Sequence, residues 1–270
     1  MAVARIGISG WTYAPWRGTF YPKGLPHRAE LEYAAERLDS IEINGSFYAL
    51  QKPASYRRWA EETADDFVFS VKGGRYITHI LRLKNAREAV ANFCASGVLA
   101  LGTKLGPMLW QVPPNLAFDP EAVTAFLAML PRTTTAAAAL AAETSLDEDR
   151  TFLDPGPERP IRHAMEVRNP SFDVPEFTAI ARDAGVAIVV ADTAGRYPVI
   201  RETTTDFQYV RLHGDEELYT SGYTPEALAR WAADIRGWLS DGLDVYAYFD
   251  NDAKVRSPVD AMALRALLAG

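Results

Sequence analysis

Eight short runs rich in β-branched and aromatic residues, with helical patterns between them, constrain this fold more than any other feature. The runs are RIGIS (5–9), SIEIN (40–44), FVFSVK (67–72), PMLWQV (107–112), HAMEVR (163–168), VAIVVAD (186–192), FQYVRLH (207–213) and DVYAYFD (244–250). Parallel strands need a crossover of a dozen or more residues, usually a helix, and the stretches between the runs are long enough to supply one. Helix starts are marked by Pro53, Asp119, Pro175, Thr224 and Ser257. Proline suits a first turn, where its missing N–H has no helical partner, and Asp119, Thr224 and Ser257 are expected N-caps. In a chain of 270 residues the expected fold is α/β, a single (β/α)8 TIM-type barrel forming one domain over 1–270. Two segments interrupt the alternation. Residues 193–206 carry no helical pattern, so an irregular connection is expected between the sixth and seventh strands. Residues 132–161 hold an Ala/Thr-rich helix and then an acidic, Pro-rich stretch, a surface excursion.

Strand parity points to the site. Residues two apart share a face, and the helix-facing side of a barrel strand is apolar. Ile41 and Ile43 leave Glu42 and Asn44 together on the other face, and Phe69 and Val71 leave Ser70 and Lys72. Met165 and Val167 oppose Glu166 and Arg168. Val210 and Leu212 oppose Arg211 and His213, and Ala247 and Phe249 oppose Tyr246, Tyr248 and Asp250. Gln111 and Asp192 end the fourth and sixth strands, and Asn251 follows the eighth. These polar residues cluster at the C-terminal ends of their strands, where barrel enzymes assemble their sites. A ring of charges could instead be a structural ion-pair network, but such networks are costly to desolvate and often lose to apolar packing.

The inventory suggests an anion pocket with acid–base groups. Lys72, Arg168 and Arg211 are cations for an anionic group. Glu42 and Glu166 are the expected acid–base pair, assisted by His213, which titrates near neutrality. Asn44, Gln111 and Asn251 are expected to orient polar groups, with Asp192, Tyr248 and Asp250 beside them. The loop GWTYAPWRGTFYP (10–22) places Trp11, Tyr13, Trp16, Phe20 and Tyr21 at the same mouth. Such rings suit a flat or sugar-like ligand, although aromatics more often serve packing. The chain has four histidines, and His163 begins a strand at the opposite end. A histidine-rich zinc site is therefore excluded. A single Mg²⁺ or Mn²⁺ on Glu42, Glu166, Asp192 and His213 is the only metal the inventory allows, and no cofactor is expected. A net charge of −7 disfavours general nucleic-acid or anionic-membrane binding. The lone Cys94, the absence of a long apolar run and an N-terminus without leader character lead to the expectation of a cytoplasmic protein.

In the order GISGWTYAPWRGTFYP, IEINGSFYALQKPASYRRWAEET, FVFSVKGGRYITHILRL, LGPMLWQVPP, AMEVRNPSF, YVRLHG and YFDND, the chain resembles the DUF72 (YecE-like) family of uncharacterised TIM-barrel proteins over nearly its whole length. The resemblance implies the barrel and shares the polar ring, but it implies no reaction. The turn at Arg256–Ser257–Pro258 departs from the family pattern, so no role is carried to Asp252 or Lys254. The leading expectation is an enzyme acting on a small or terminal anionic ligand with a ring, such as a sugar phosphate or nucleotide. Isomerisation, hydrolysis and lyase chemistry are all open. The alternatives are a nucleic-acid-binding or processing protein, an analogy with barrel endonucleases at the level of fold only, and a non-catalytic metabolite-binding protein.

Overall fold

The computed structural model describes residues 2–270. Nine strands form one parallel sheet: β1 (Ala4–Ser9), β2 (Ser40–Ile43), β3 (Val68–Lys72), β4 (Leu105–Gln111), β5 (His163–Glu166), β6 (Ala187–Ile188), β7 (Val190–Asp192), β8 (Phe207–Leu212) and β9 (Asp244–Phe249). Their order is β6-β5-β4-β3-β2-β1-β9-β8-β7. Strands β6 and β7 are consecutive in the chain with only Val189 between them, so they are two halves of one stave. One half pairs with β5 and the other with β8. The result is the eight-staved (β/α)8 barrel expected of the sequence, with its sixth stave broken.

The helices are α1 (Glu30–Ala35), α2 (Gly45–Tyr48), α3 (Pro53–Glu61), α4 (Arg87–Ala95), α5 (Pro120–Met129), α6 (Thr134–Ala141), α7 (Pro175–Asp183), α8 (Pro225–Ser240) and α9 (Arg256–Ala269). Proline opens α3, α5, α7 and α8 at the expected places. The Asp119 and Thr224 side chains accept the backbone N–H of Ala122 and Ala227, as N-caps do. Ser257 is a correction. The last helix begins one residue earlier, after Val255 in the left-handed region (φ 60°), and the Ser257 hydroxyl donates instead to Asp252 Oδ1 at 2.6 Å. No helix joins β7 to β8, and after α6 the chain runs to β5 with only a single helical turn at Glu148–Arg150.

Parity divides the core in two. Ile6, Ile8, Ile41, Ile43, Val210 and Phe249 belong to the large cluster between sheet and helices. Leu109, Ala164, Phe207, Tyr209, Tyr246 and Tyr248 form a separate cluster inside the barrel. Gly7 makes this interior fit. A Cβ there would stand 2.0 Å from the Ser40 carbonyl oxygen and 3.3 Å from the Tyr248 ring. The Tyr248 hydroxyl lies 2.7 Å from both Ser40 Oγ and Ser70 Oγ. Each serine is two residues before a ring member, Glu42 and Lys72. Tyr248 therefore occupies the layer beneath the ring rather than the mouth.

Candidate functional site

Arg211 is the hub of the mouth. It projects inward from β8, fully buried, and its donors are taken up by carboxylates from three other strands or strand ends. Nε and Nη2 grip Glu42 at 3.0 and 2.8 Å, Nη1 donates to Glu166 at 2.6 Å, and Nη2 also reaches Asp250 at 2.9 Å and Ser9 Oγ at 3.1 Å. Glu42 is equally saturated, because it also accepts from Ser9 Oγ (2.8 Å) and Tyr209 OH (2.7 Å). Glu166 bridges two arginines, accepting from Arg168 Nε at 2.7 Å on its other oxygen. Burial pushes the Glu166 carboxyl up, but Arg168, Arg211, His213 and Lys72 outweigh it and hold the group well below the usual carboxylate range. A buried carboxylate already held in this way is a poor proton shuttle, since protonating it breaks an arginine contact. The acid–base roles expected of Glu42 and Glu166, and the anion grip expected of Arg211, meet groups whose bonds are spent within the protein.

The less committed groups lie around this hub. Lys72 ends β3 and is 7% exposed. Its Nζ makes no hydrogen bond or ion pair among the described residues, and it sits 4.4 Å from the centroid of the Phe47 ring. Burial, reinforced by Arg211, pushes its ammonium down to about 8 despite the nearby carboxylates. Nε of Arg168 is taken by Glu166, the Tyr219 hydroxyl is close enough to the guanidinium for each to act on the other, and the guanidinium lies 5.2 Å from the Tyr197 ring centroid. His79 lies edge-on to Phe47 at 5.1 Å. Burial lowers its pKa to about 4, with the charges of Lys72, Arg75 and Arg168 adding to the effect. Three cations thus surround one small region.

Acid–base candidates also adjoin the hub. His213 Nδ1 stands 3.0 Å from Asp250 Oδ2 but off the line of a hydrogen bond, so this buried nitrogen has no hydrogen-bond partner. Burial raises the Asp250 carboxyl, yet Arg211, His213 and Lys72 hold it well below its ordinary value. Asp252 is the reverse case, raised to about 7 by burial first and then by the Asp250 charge. Two carboxylates with pKa values pushed apart are the arrangement from which acid–base pairs are made. Asp252 is a residue for which sequence reasoning carried no role. Its spacing of two from Asp250 was the available signal.

Two expected members are elsewhere. Asp192 is opposite Leu212 in the β7–β8 register, while Ala191 is the neighbour of Arg211. Asp192 consequently faces the helices and accepts from Tyr223 OH at 3.1 Å. Asn251 is fully buried behind the barrel wall, its Nδ2 donating to the Ser221 carbonyl and to Asp260, both at 2.9 Å. The metal shell that required Asp192 is not assembled. Among the described residues no group of three or more His, Cys, Asp or Glu side chains is arranged to hold a metal ion. Gln111 is buried and donates to the Val112 carbonyl at 2.8 Å. His163 is structural, accepting from Trp110 Nε1 at 3.1 Å, with Nε2 2.8 Å from the Pro131 carbonyl oxygen.

Trp11 and Asn44 line a separate cavity of about 280 Å³ together with Tyr13, Tyr48, Gln51 and Trp59. Asn44 joins it to the hub. Its Nδ2 donates to Ser9 Oγ, and its Oδ1 is buried without a partner.

Comparisons with known proteins agree with this architecture. A family profile described as "Protein of unknown function DUF72" matches residues 5–270. The UPF0759 protein YecE of Escherichia coli K12 is 31% identical over 129 residues, 47% of this chain and 44% of that protein. The Bacillus subtilis UPF0759 protein YunF is 28% identical over 114 residues, 40% of this chain and 39% of its own. These alignments thus span less than half the length of either relative. A solved DUF72 family protein from Thermotoga maritima superposes with a TM-score of 0.79 at 24% identity, covering 99% of this chain and 100% of that one. A D-psicose 3-epimerase from Clostridium cellulolyticum shares the barrel at TM-score 0.53 and 10% identity, covering 98% of each chain. Among the described residues no helix is long and apolar enough to cross a membrane. With its profile matched from residue 5 to residue 270, the chain belongs to the DUF72 family.

Proposed function

We propose that the barrel mouth binds a small anionic, ring-bearing compound and acts on it by acid–base chemistry. One observation carries the reading. Lys72 and Arg168 are cations with unspent donors beside a hub whose other charges are paired. A buried ammonium without an acceptor costs free energy in the empty protein, and a phosphate or carboxylate supplies what it lacks. The ring of the ligand fits the adjoining cavity, where Trp11, Tyr13 and Trp59 offer aromatic faces and Asn44 Oδ1 accepts a hydroxyl or amino proton. His213 and Asp252 are the groups placed for proton transfer, ahead of Glu42, Glu166 and Asp250, whose carboxylates are held by Arg211.

Calorimetric titration with inorganic phosphate, glucose 6-phosphate and adenosine monophosphate at pH 7 tests this. One of the two ring-bearing compounds is expected to bind at least about tenfold tighter than phosphate, and Arg168→Met should weaken it by a similar factor, since each tenfold corresponds to about 1.4 kcal/mol. Affinity should decline as pH rises through about 8, where Lys72 loses its proton. The salt dependence should be shallow, as for a single phosphate contact, whereas a nucleic-acid backbone would give a steep one. Equal and millimolar binding of all three compounds to both proteins would end the proposal.

A further inference from the structure

Two lysines of this protein are buried to the same degree, Lys72 at 7% and Lys104 at 8% exposure, yet they are built differently. The Lys104 ammonium donates to the Ala60 carbonyl at 2.5 Å, the Thr63 carbonyl at 2.7 Å and Thr63 Oγ1 at 3.2 Å. An ammonium has three donors, and each has an acceptor. That is a structural lysine. Lys72 has no such partner among the described residues. Its Nζ rests near the Phe47 ring at the end of β3, where Asp250, Glu42 and Glu166 are near enough to act on its charge but none bonds it. An ammonium that is nine-tenths buried with no acceptor from the described residues has its neutral, nucleophilic form favoured relative to an exposed lysine, and burial of this kind is how lysines are prepared for covalent chemistry.

The neighbours supply what such chemistry requires. His213 stands at the same mouth, with Nδ1 3.0 Å from the ionised Asp250 carboxylate and Nε2 3.5 Å from Arg211 Nη1, so a proton-carrying ring is held there. Arg168, fixed through Nε by Glu166 and with Tyr219 beside its guanidinium, offers a cation to hold an anionic substituent. We propose that Lys72 is a nucleophile that condenses with the carbonyl carbon of a small anionic aldehyde or ketone to form an imine. The proposal rests on the anion-binding reading above for the orientation of that compound.

The steps balance without an oxidant or reductant. The Nζ lone pair forms a C–N bond while the carbonyl π pair moves to oxygen, and a proton passes from nitrogen to that oxygen to give a carbinolamine. A second proton on the hydroxyl lets the C–O bond break, and the nitrogen lone pair closes the C=N bond. Water leaves and a protonated imine remains. His213, paired with Asp250, relays the protons. Such an imine activates the adjacent carbon for proton abstraction, which places the candidate substrates among hydroxy- or oxo-compounds carrying a phosphate or carboxylate.

Reductive trapping tests this on the full chain. Pyruvate, dihydroxyacetone phosphate and pyridoxal 5′-phosphate serve as anionic carbonyl probes with cyanoborohydride, read by intact mass and peptide mapping. The expected result is a single reduced adduct on Lys72, at least tenfold faster than on exposed lysines such as Lys84. Its rate should rise with a midpoint near pH 8 rather than above pH 10. Lys72→Arg, with folding verified by urea titration, should give no adduct, and Arg168→Met should slow labelling at least tenfold. Adducts spread over surface lysines, or none at Lys72 with any probe, overturn the proposal. If glucose 6-phosphate or adenosine monophosphate still binds in that case, Lys72 is only a cation of the anion site and that reading survives. If neither binding nor trapping is seen, both fail.

Discussion

Replacing Arg211 with methionine removes the hub while keeping most of its bulk. The guanidinium is 0% exposed and donates to Glu42, Glu166 and Asp250. Glu42 would keep only its Ser9 and Tyr209 bonds, and Glu166 only Arg168. Removing one partner of a buried ion pair costs about 3–5 kcal/mol, chiefly by leaving an uncompensated charge. Here three carboxylates lose a partner at once, so the upper end, about 5 kcal/mol, is expected. Against a typical total of about 5–15 kcal/mol, that loss is severe. Urea titration at pH 7 measures it. The penalty should shrink in acid. In the wild-type protein Glu166 and Asp250 are held below their ordinary values, so their contribution is present above the unfolded pKa of about 4 and is lost as pH falls toward the folded values. In Arg211→Met those carboxylates protonate more readily, and the two stability curves should converge as the pH approaches 4. A loss under about 1 kcal/mol at pH 7, or curves that stay parallel, would refute the reasoning that the ring is held together by this guanidinium.

Three further outcomes are expected. Gly7→Ala places a Cβ 2.0 Å from the Ser40 carbonyl oxygen, backbone that cannot turn aside, and should destabilise by about 3 kcal/mol or more. Gly237→Ala, in the interior of α8 with nothing within 4 Å, should stabilise by about 0.5–1 kcal/mol, both read from urea midpoints. Asp252→Asn removes a carboxyl whose folded pKa is raised to about 7. Between about pH 4 and 7 the folded wild type binds more protons than the unfolded chain, so its stability falls as pH rises. The variant should gain on it by about 4 kcal/mol from about pH 4 to 8, a gain that parallel pH profiles would contradict.

The barrel was legible because the alternation of strand runs and helix starts is a local signal, and the ring because strand parity is. Parity failed where its signal was missing. VAIVVAD is apolar almost throughout, so nothing in it says which face Asp192 takes. The answer depends on Ala191 lying beside Arg211, which is a fact of register. Asn251 lies past the end of β9, where a period of two no longer holds, and its partners Ser221 and Asp260 come from a distant loop and from α9. Helix α4 went unanticipated because Ala86 caps it without a side-chain bond. Which charges are spent was also invisible, since the pairings of Arg211 with Glu42, Glu166 and Asp250 join residues far apart in the chain, and only Arg168–Glu166 is local.

That last distinction changes what the ring means. A structural network and a functional site were set against each other as alternatives, yet the two are compatible: the geometry contains the network, and the proposed site stands beside it. Arg211 joins β8 to Glu42 of β2, Glu166 of β5, Ser9 of β1 and Asp250 beyond β9, so one guanidinium fastens five staves at the mouth. Such a network fixes its members within tenths of an ångström, and a site benefits from supports of that kind when its own groups must be held without being bonded. Lys72, Arg168 and His213 are the groups standing beside the fastened core with capacity left over. Had the ring been architecture alone, Lys72 would be the easiest residue to replace with an apolar one, because its charge is buried and bonds nothing. Its ammonium draws only on the Phe47 ring and the pull of Glu42, Asp250 and Glu166, and the proposed ligand or reaction would give it the acceptor it lacks.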